Sequence, residues 1–580
     1  MGTISDKLMR IINTKEDIRQ ALISKGYDVP TSIPFKEYAK MILDLPCKVD
    51  SFPDIEGIVA RYSASGLTNE QMAANPVWVD KTGNGHDIQL KNFSWKGMSG
   101  VGGYEMNFNL WRNNVSSIPD ISMSTTTTSV SVSVGNSTYN NNLIYIHISN
   151  WDINKNHWLK VTSTYEDGDL AFIFYNDSNT KKIGLPANGY VNILAYPEFK
   201  GSYMYISTIS NKQGSFTIEQ LPLYPGALVF DGVDDYGTCD NFPILTKEKG
   251  YTVVALRQWD QDFLNTTLTG GLLSTRNYST GEGVAFEKIE SSNKGYWNLG
   301  AGGIIDFAKS PFTWQTSKQY NNVGILKGDK NHGKPLCVGC GLSGGQQCGR
   351  FAIWELVFLD HDATEEELTK IKDYFVKTYP WLFPDQAWTV VGKTNEDEDR
   401  ATIANITGNG NDLVLSNFGF AEGSGYNEEG EYAGYLVTDG VDDKIISSIF
   451  KMGNDWTVIG DWGLINTGKN DNAGIVKFDS IVIYNYNPIL INIKNGRNNL
   501  IPDQNTVNAI CSDGRIYSKD WKESIYNEET ESTSKNFLTI GYSGNAYTKI
   551  AFKNLAIYPT VLSREDCIKA YNYLQTLKAK

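Results

Sequence analysis

The side chains in this sequence best placed to do chemistry are carboxylates that occur in duplicate. Asp231, Asp234 and Asp235 lie in FDGVDDYG at 230–237, and Asp439, Asp442 and Asp443 lie in TDGVDDKI at 438–445. Such acids could offer hard oxygen ligands to calcium, an ion that takes about six to eight of them. The same spacing suits a turn whose Asp side chains accept from local backbone N–H groups. The turn alone supplies too few ligands for calcium, and the sequence shows no others. A second constellation is Cys337-Val338-Gly339-Cys340, with Cys348 downstream and His332 upstream, a fragment of a zinc-site pattern. PLCVGCG reads as a strand, however, and residues three apart on a strand face opposite ways. Free thiols beside a Gly-rich hairpin, or a Cys340–Cys348 pair across it, fit that reading better than a metal.

Strings that mimic catalytic motifs lack their contexts. Gly341-Leu342-Ser343-Gly344-Gly345 matches the nucleophile-elbow pattern, but no helical pattern follows it. Gly392-Lys393-Thr394 lacks the first glycine of a phosphate loop, because Ala387 stands there. The run Glu396-Asp397-Glu398-Asp399 reads as a solvated loop. All five histidines (His86, His147, His157, His332 and His361) precede residue 362. The expectation is therefore a protein that is not an enzyme. Sugar binding asks for a flat aromatic face with polar groups nearby. Trp95, Trp111 and Trp151, in polar and turn-rich surroundings, are the candidate platforms, whereas Tyr251 and Trp456 open strands and are expected to be buried.

The elements that must position these residues follow from composition and repeats. A chain of 580 residues is long enough for several domains, and its net charge of −14 disfavours nucleic acid as a partner. No run of about 18 apolar residues offers a membrane span, and residues 1–30 hold no apolar stretch of signal-peptide length. Seven scattered cysteines imply no disulfide framework. Three blocks recur in order. TGNGHDIQLKNF at 82–93 returns as TGNGNDLVLSNF at 407–418, the DGVDD block returns 208 residues on, and LVFLDHDATEEELTKIKDYF at 356–375 returns as LAIYPTVLSREDCIKAYNYL at 555–574. The offset falls from 325 to 208, so the first copy holds 117 extra residues between its first two blocks. Left as a loop, that excess would cost roughly 3 kcal/mol of closure entropy. Its alternating segments, among them SVSVSV at 129–134 and LAFIFY at 170–175, instead predict a nested β-sandwich. Asn84-Gly85 and Asn409-Gly410 read as type I′ hairpin turns before short strands. Thr364 with Glu367, and Ser563 with Asp566, predict capped helices that end each copy. Residues 1–46 differ from the rest: Ile4, Leu8, Ile11, Ile18 and Leu22 form a helical seam, followed by a short helix opened by Pro34. That segment reads either as a helical hairpin packed on its neighbour or as a handle for attachment and oligomerisation.

The ordered set TGNG(H/N)D, DGVDD, a (Y/W)TV strand and a final strand leading to an acid-capped helix resembles the laminin G-like, concanavalin A-type jelly-roll superfamily. The leader, TISDKL through PFKEYAKMI, is similar to helical leaders on tail or fibre proteins of tailed phages that infect gut bacteria. Together these resemblances imply a mainly β chain of two jelly rolls. Its parts would be a helical segment at 1–50, a first jelly roll at 51–385 interrupted at about 105–225, and a second at 386–580. They imply a virion fibre or decoration protein, made in the host cytoplasm without a signal peptide. It would join other virion proteins through residues 1–46, form homo-oligomers with a trimer favoured, and bind host-surface polysaccharide with no cofactor other than possible calcium. A ligand-free decoration protein and a polysaccharide depolymerase are the rival implications. The Glu-x-Asp-x-x-Glu string of a related sandwich family of glycoside hydrolases is absent from the sequence.

Overall fold

A computed structural model describes Lys15 and residues 52–579. The latter stretch is interrupted, most extensively at 105–111, 114–120, 136–145, 148–156, 194–202, 276–284, 317–335, 466–473 and 526–534. The chain divides into two compact units, 1–54 and 55–580. Apart from Lys15, which is helical, the leader lies outside the described residues, as does Cys47, and everything below concerns the second unit.

The chain is mainly β, built from antiparallel sheets that face one another across shared cores. In the first copy the labelled elements are β1 (Ile58–Ser63), β2 (Ile88–Lys91), β3 (Leu228–Asp231), β4 (Tyr236–Cys239), β5 (Thr252–Trp259), β6 (Arg350–Leu359) and α1 (Glu365–Thr378). β6 is the spine: β5 pairs along one side of it, and β1 and β3 share the other. The facing sheet holds β2 and β4. The second copy repeats the plan with β7 (Gln386–Thr389), β8 (Leu413–Ser416), β9 (Leu436–Val437), β10 (Lys444–Ser447), β11 (Thr457–Leu464), β12 (Val507–Cys511), β13 (Ile550–Tyr558) and α2 (Arg564–Gln575). Here β13 is the spine, flanked by β11 on one side and by β7 and β9 on the other. Even the irregularities recur, with one register shift at Leu256/Arg257 and another at Asp461/Trp462.

Alternation explains why these segments are strands. β2 and β8 bury every second residue, Ile88 and Leu90 in one and Leu413 and Leu415 in the other. Both spines are buried along nearly their whole length, as a strand covered on both faces must be. Tyr251 and Trp456 are core residues, 1% and 2% exposed. Each helix starts where the acids predict: Thr364 Oγ1 accepts from Glu367 N at 3.2 Å, and Ser563 Oγ accepts from Asp566 N at 3.1 Å. Caps of this kind contribute about 1 kcal/mol each. Leu368, Ile371 and Phe375 turn inward from α1.

Between β2 and β3 the chain makes two further five-stranded sheets. One has the order 180–185, 170–175, 203–208, 146–147, 112–113; the other runs 188–193, 157–163, 214–220, 129–134, 121–125. Val130, Val132, Leu159 and Ile218 from the second sheet meet Phe172, Phe174 and Ile206 from the first in one core. The excursion begins and ends at one place, because Leu223 N donates to Gly103 O at 2.9 Å and Tyr224 N donates to Gly102 O at 2.8 Å.

Two turn expectations are corrected. Type I′ geometry needs positive φ at Asn84 and Asn409, but the left-handed residues are Gly83 and Gly85, and Gly408, Gly410 and Asn411. Asn84 and Asn409 instead use their amides to hold the preceding strand or linker, Asn84 Nδ2 donating to Val59 O at 2.9 Å and Asn409 Nδ2 to Asp385 O at 2.7 Å. PLCVGCG is not one strand either. Gly339, at φ +87°, breaks it between Leu336–Val338 and Cys340–Leu342, and a Cβ there would meet the Phe230 ring at 2.4 Å.

Candidate functional site

The DGVDD turns connect β3 to β4 and β9 to β10, and each folds against the loop that follows β2 or β8. Asp231 Oδ1 accepts from Val233 N at 2.7 Å, as Asp439 Oδ1 does from Val441 N at 2.7 Å. The last acid of each turn is inside the protein. Asp235 Oδ2 accepts from Asp231 N at 3.0 Å and its Oδ1 from Ser99 Oγ at 2.9 Å; Asp443 accepts from Asp439 N at 2.7 Å and from Ser424 Oγ at 3.1 Å. Burial, reinforced by the neighbouring Asp231 charge, pushes the Asp235 carboxyl up to about 7. Burial pushes Asp443 up to about 6. Gly232 and Gly440, both at φ +76°, make the turn possible, since a Cβ at Gly232 would meet Arg350 at 2.7 Å.

Carboxylate oxygens of Asp231, Asp234 and Asp235 come within 4.8 Å of one another, as do those of Asp439, Asp442 and Asp443. Both oxygens of each buried acid, and Oδ1 of each first acid, already accept hydrogen bonds. Asp234 and Asp442 are the exposed members. Each triad offers three carboxylates, whereas calcium takes about six to eight oxygen ligands. The hydrogen bonds account for each turn as one that satisfies its own first and last acids.

The partner loop places an aromatic pair beside each turn. Asn92 and Asn417, at φ 67° and 69°, are followed by Trp95 and Phe420 at 54° and 49°. Asn92 Nδ2 donates to Asp234 O, and Asn417 Nδ2 to Asp442 O, each at 3.0 Å. Trp95 stacks on Phe93 at 4.8 Å and 17°, half-buried against the core. Phe420 lies tilted to Phe418 at 6.0 Å, with the Arg400 guanidinium 5.1 Å over its ring. At the turn tips Val233 is 75% exposed and Val441 is 70% exposed. Of the three tryptophan platforms expected from sequence, Trp95 is thus anchored on its neighbour and only part-exposed, while Trp111 and Trp151 lie outside the described residues, as do His332 and Ser343.

The cysteine expectation changes. Cys337 pairs with Cys340 in a disulfide, and Cys348, the cross-strand partner of Cys340, is buried and outside that bond. The Cys340–Cys348 pair is therefore not the one formed. The turn at Gly339 is what lets Cys337 and Cys340 meet, which a continuous strand would forbid.

The sequence also gave no sign of a cleft of about 260 Å³ where the two copies meet, lined among others by Gln258, Lys372, Asp385, Thr407, Asn409 and Tyr573. It joins β5 and α1 of the first copy to the TGNG turn and α2 of the second. Across this seam Tyr573 Oη donates to Gln258 Oε1 at 3.4 Å, and Lys578 pairs with Asp262. The TGNG repeat marked one wall of the cleft, but nothing in the sequence marked the other.

No protein-family model and no curated protein matches the chain. Among solved structures it is similar to Trypanosoma rangeli sialidase in complex with sialic acid, at 7% identity over 80% of this chain and 84% of that one, with a TM-score of 0.26. It is also similar to the binding domain of botulinum neurotoxin serotype D, at 11% identity over 59% of this chain and 89% of that one, with a TM-score of 0.23. Similarity this distant says nothing of what the chain binds.

Proposed function

We propose that the chain is a non-catalytic virion fibre or decoration protein whose lectin-like domains adhere to host-surface glycans. In this reading residues 1–50 attach and oligomerise it, as a trimer by preference. Residues 51–385, interrupted at about 105–225, and 386–580 are the two jelly rolls. The observation that supports binding is the duplicated tip, where a partly exposed aromatic ring sits beside exposed Asn92 and Asp234 in one copy and Asn417 and Asp442 in the other. An aromatic face takes the C–H surface of a sugar, while amide and carboxylate oxygens read its hydroxyls. Such sites are shallow and weak singly, and repetition within a chain and across an oligomer raises avidity.

The test is a glycan array of host polysaccharides probed with the full chain in oligomeric and monomeric form. The expected result is binding by the oligomer that weakens at least tenfold in the monomer. Silence from both forms would leave a ligand-free decoration protein, and release of new reducing ends from purified capsule would make the chain a depolymerase; either overturns the proposal.

A further inference from the structure

The cleft at the seam takes no part in the tips, yet its walls keep hydrogen-bonding capacity that the fold leaves unused. On the first copy's side Lys372 and Val376 lie one turn apart on α1, so their side chains share one stretch of wall. Lys372 is exposed and makes no ion pair or hydrogen bond among the described residues. On the second copy's side the linker and the TGNG turn are tied together, Thr407 Oγ1 donating to Asp385 O at 3.1 Å and Asn409 Nδ2 to the same oxygen at 2.7 Å. Those bonds use the donor of the asparagine and leave its Oδ1 open. The Asp385 carboxylate has contacts only at 3.5 Å, from Asn409 Nδ2 and Gln386 Nε2. Buried Tyr573 donates its hydroxyl to Gln258 Oε1 at 3.4 Å, and its Oη accepts from nothing among the described residues. Among these polar groups the lining is apolar, with Phe383, Pro384, Pro559 and Leu577.

We infer that this cleft is a second saccharide site, separate from the tips, which takes one or two neutral sugar residues between the two jelly rolls. Its volume of about 260 Å³ lies just below that of pockets for drug-sized ligands, about 300–1,000 Å³, so the ligand is small. Each sugar hydroxyl both donates and accepts. That matches a lining with three acceptors, Asn409 Oδ1, Tyr573 Oη and the Asp385 carboxylate, and one donor, the Lys372 ammonium. The C–H faces of a pyranose match the phenylalanine, the prolines and the leucine between them. Lys372 and Asp385 carry opposite charges, so the lining has no net charge with which to select an acidic ligand. Because the walls come from both copies, a bound sugar bridges α1 to the TGNG turn of the second copy, and occupancy stabilises the seam.

The experiment titrates the full chain with cellobiose, maltose and lactose by calorimetry and maps the bound region by hydrogen exchange. The expected result is saturable binding of at least one of the three, slowed exchange at 383–385 and 406–409, and a Tm that rises with sugar concentration. Val376→Trp, which fills the cleft, and Lys372→Ala, at an exposed position, should each weaken binding at least tenfold. Should Val376→Trp fail to fold, Lys372→Ala decides alone. Trp95→Ala with Phe420→Ala at the tips should leave disaccharide binding unchanged while abolishing binding on the polysaccharide array, so the two readings fail separately. Binding of none of the three sugars, a preference for glucuronic acid over all of them, loss of binding in the tip variant, or full binding by Lys372→Ala overturns the inference.

Discussion

The Ser99 hydroxyl donates to Asp235 Oδ1 at 2.9 Å across 136 residues of sequence, and Ser424 does the same to Asp443 at 3.1 Å. In each copy one hydroxyl thus ties the loop after the TGNG block to the DGVDD turn, so the repeated strings are two halves of one buried contact. That contact makes the acids at its centre sensitive to pH.

Asp235 and Asp443 titrate at about 7 and about 6 in the fold, against about 4 when unfolded. The native state holds protons there that the unfolded chain has released, so stability is fully present below about pH 4 and is lost as pH rises through 6 to 7. Tm is expected to be higher at pH 5 than at pH 8. Asp235→Asn with Asp443→Asn should shrink that difference, which a thermal scan at the two pH values measures.

Neither chelator nor added calcium is expected to move Tm, because each turn gathers three carboxylates where calcium takes about six to eight oxygen ligands. Asp234→Ala and Asp442→Ala should each change stability by less than about 0.5 kcal/mol, as surface substitutions do. A calcium-dependent rise in Tm by calorimetry would contradict this.

Arg61 and Glu355 form an ion pair at 3.2 Å with side chains 5% and 0% exposed, supported by Tyr374 and Tyr379. Burial still raises the Glu355 carboxyl, although the Arg61 charge opposes it. Removing one partner leaves the other charged and buried, so Arg61→Ala is expected to cost about 3–5 kcal/mol. Arg61→Met with Glu355→Leu should cost much less. Urea unfolding of the two variants separates these outcomes.

The hydroxyls of Thr252 and Thr457 each join a sheet to the segment leading into its helix. Thr457→Val keeps the shape and strands a backbone donor and acceptor, at a cost of about 1–3 kcal/mol. Thr457→Ser should restore most of it. Hydrogen exchange at the start of α2 would report the loss locally.

Trp95→Ala is expected to weaken glycan binding at least tenfold with the far-UV spectrum unchanged, whereas Trp456→Ala should destabilise the second sandwich by about 3–5 kcal/mol, because Trp456 lies in its core. A binding titration beside a melting curve distinguishes the two.

How far the sequence could be read depended on the range of the interaction. The repeats, the helix caps and the inward faces of β2 and β8 are local patterns, and the sheets follow them. The turn at Gly339 was missed because a run of apolar residues looks like a strand until the Phe230 ring that packs on the glycine is known. Asn84-Gly85 was misassigned because its flanking glycines share the same preference, and a strand carbonyl captured the asparagine amide. The Arg61–Glu355 pair and the seam cleft each join residues far apart in sequence, and only the closed fold brings them together.

Because Gly102 and Gly103 face Tyr224 and Leu223 on adjacent hydrogen-bonded rungs, the polypeptide departs from the first jelly roll and returns to it within about 5 Å. That position is a socket: any foldable module whose termini lie equally close can be grafted there without stretching the host, and removing the resident one needs only a short bridge from residue 104 to residue 222.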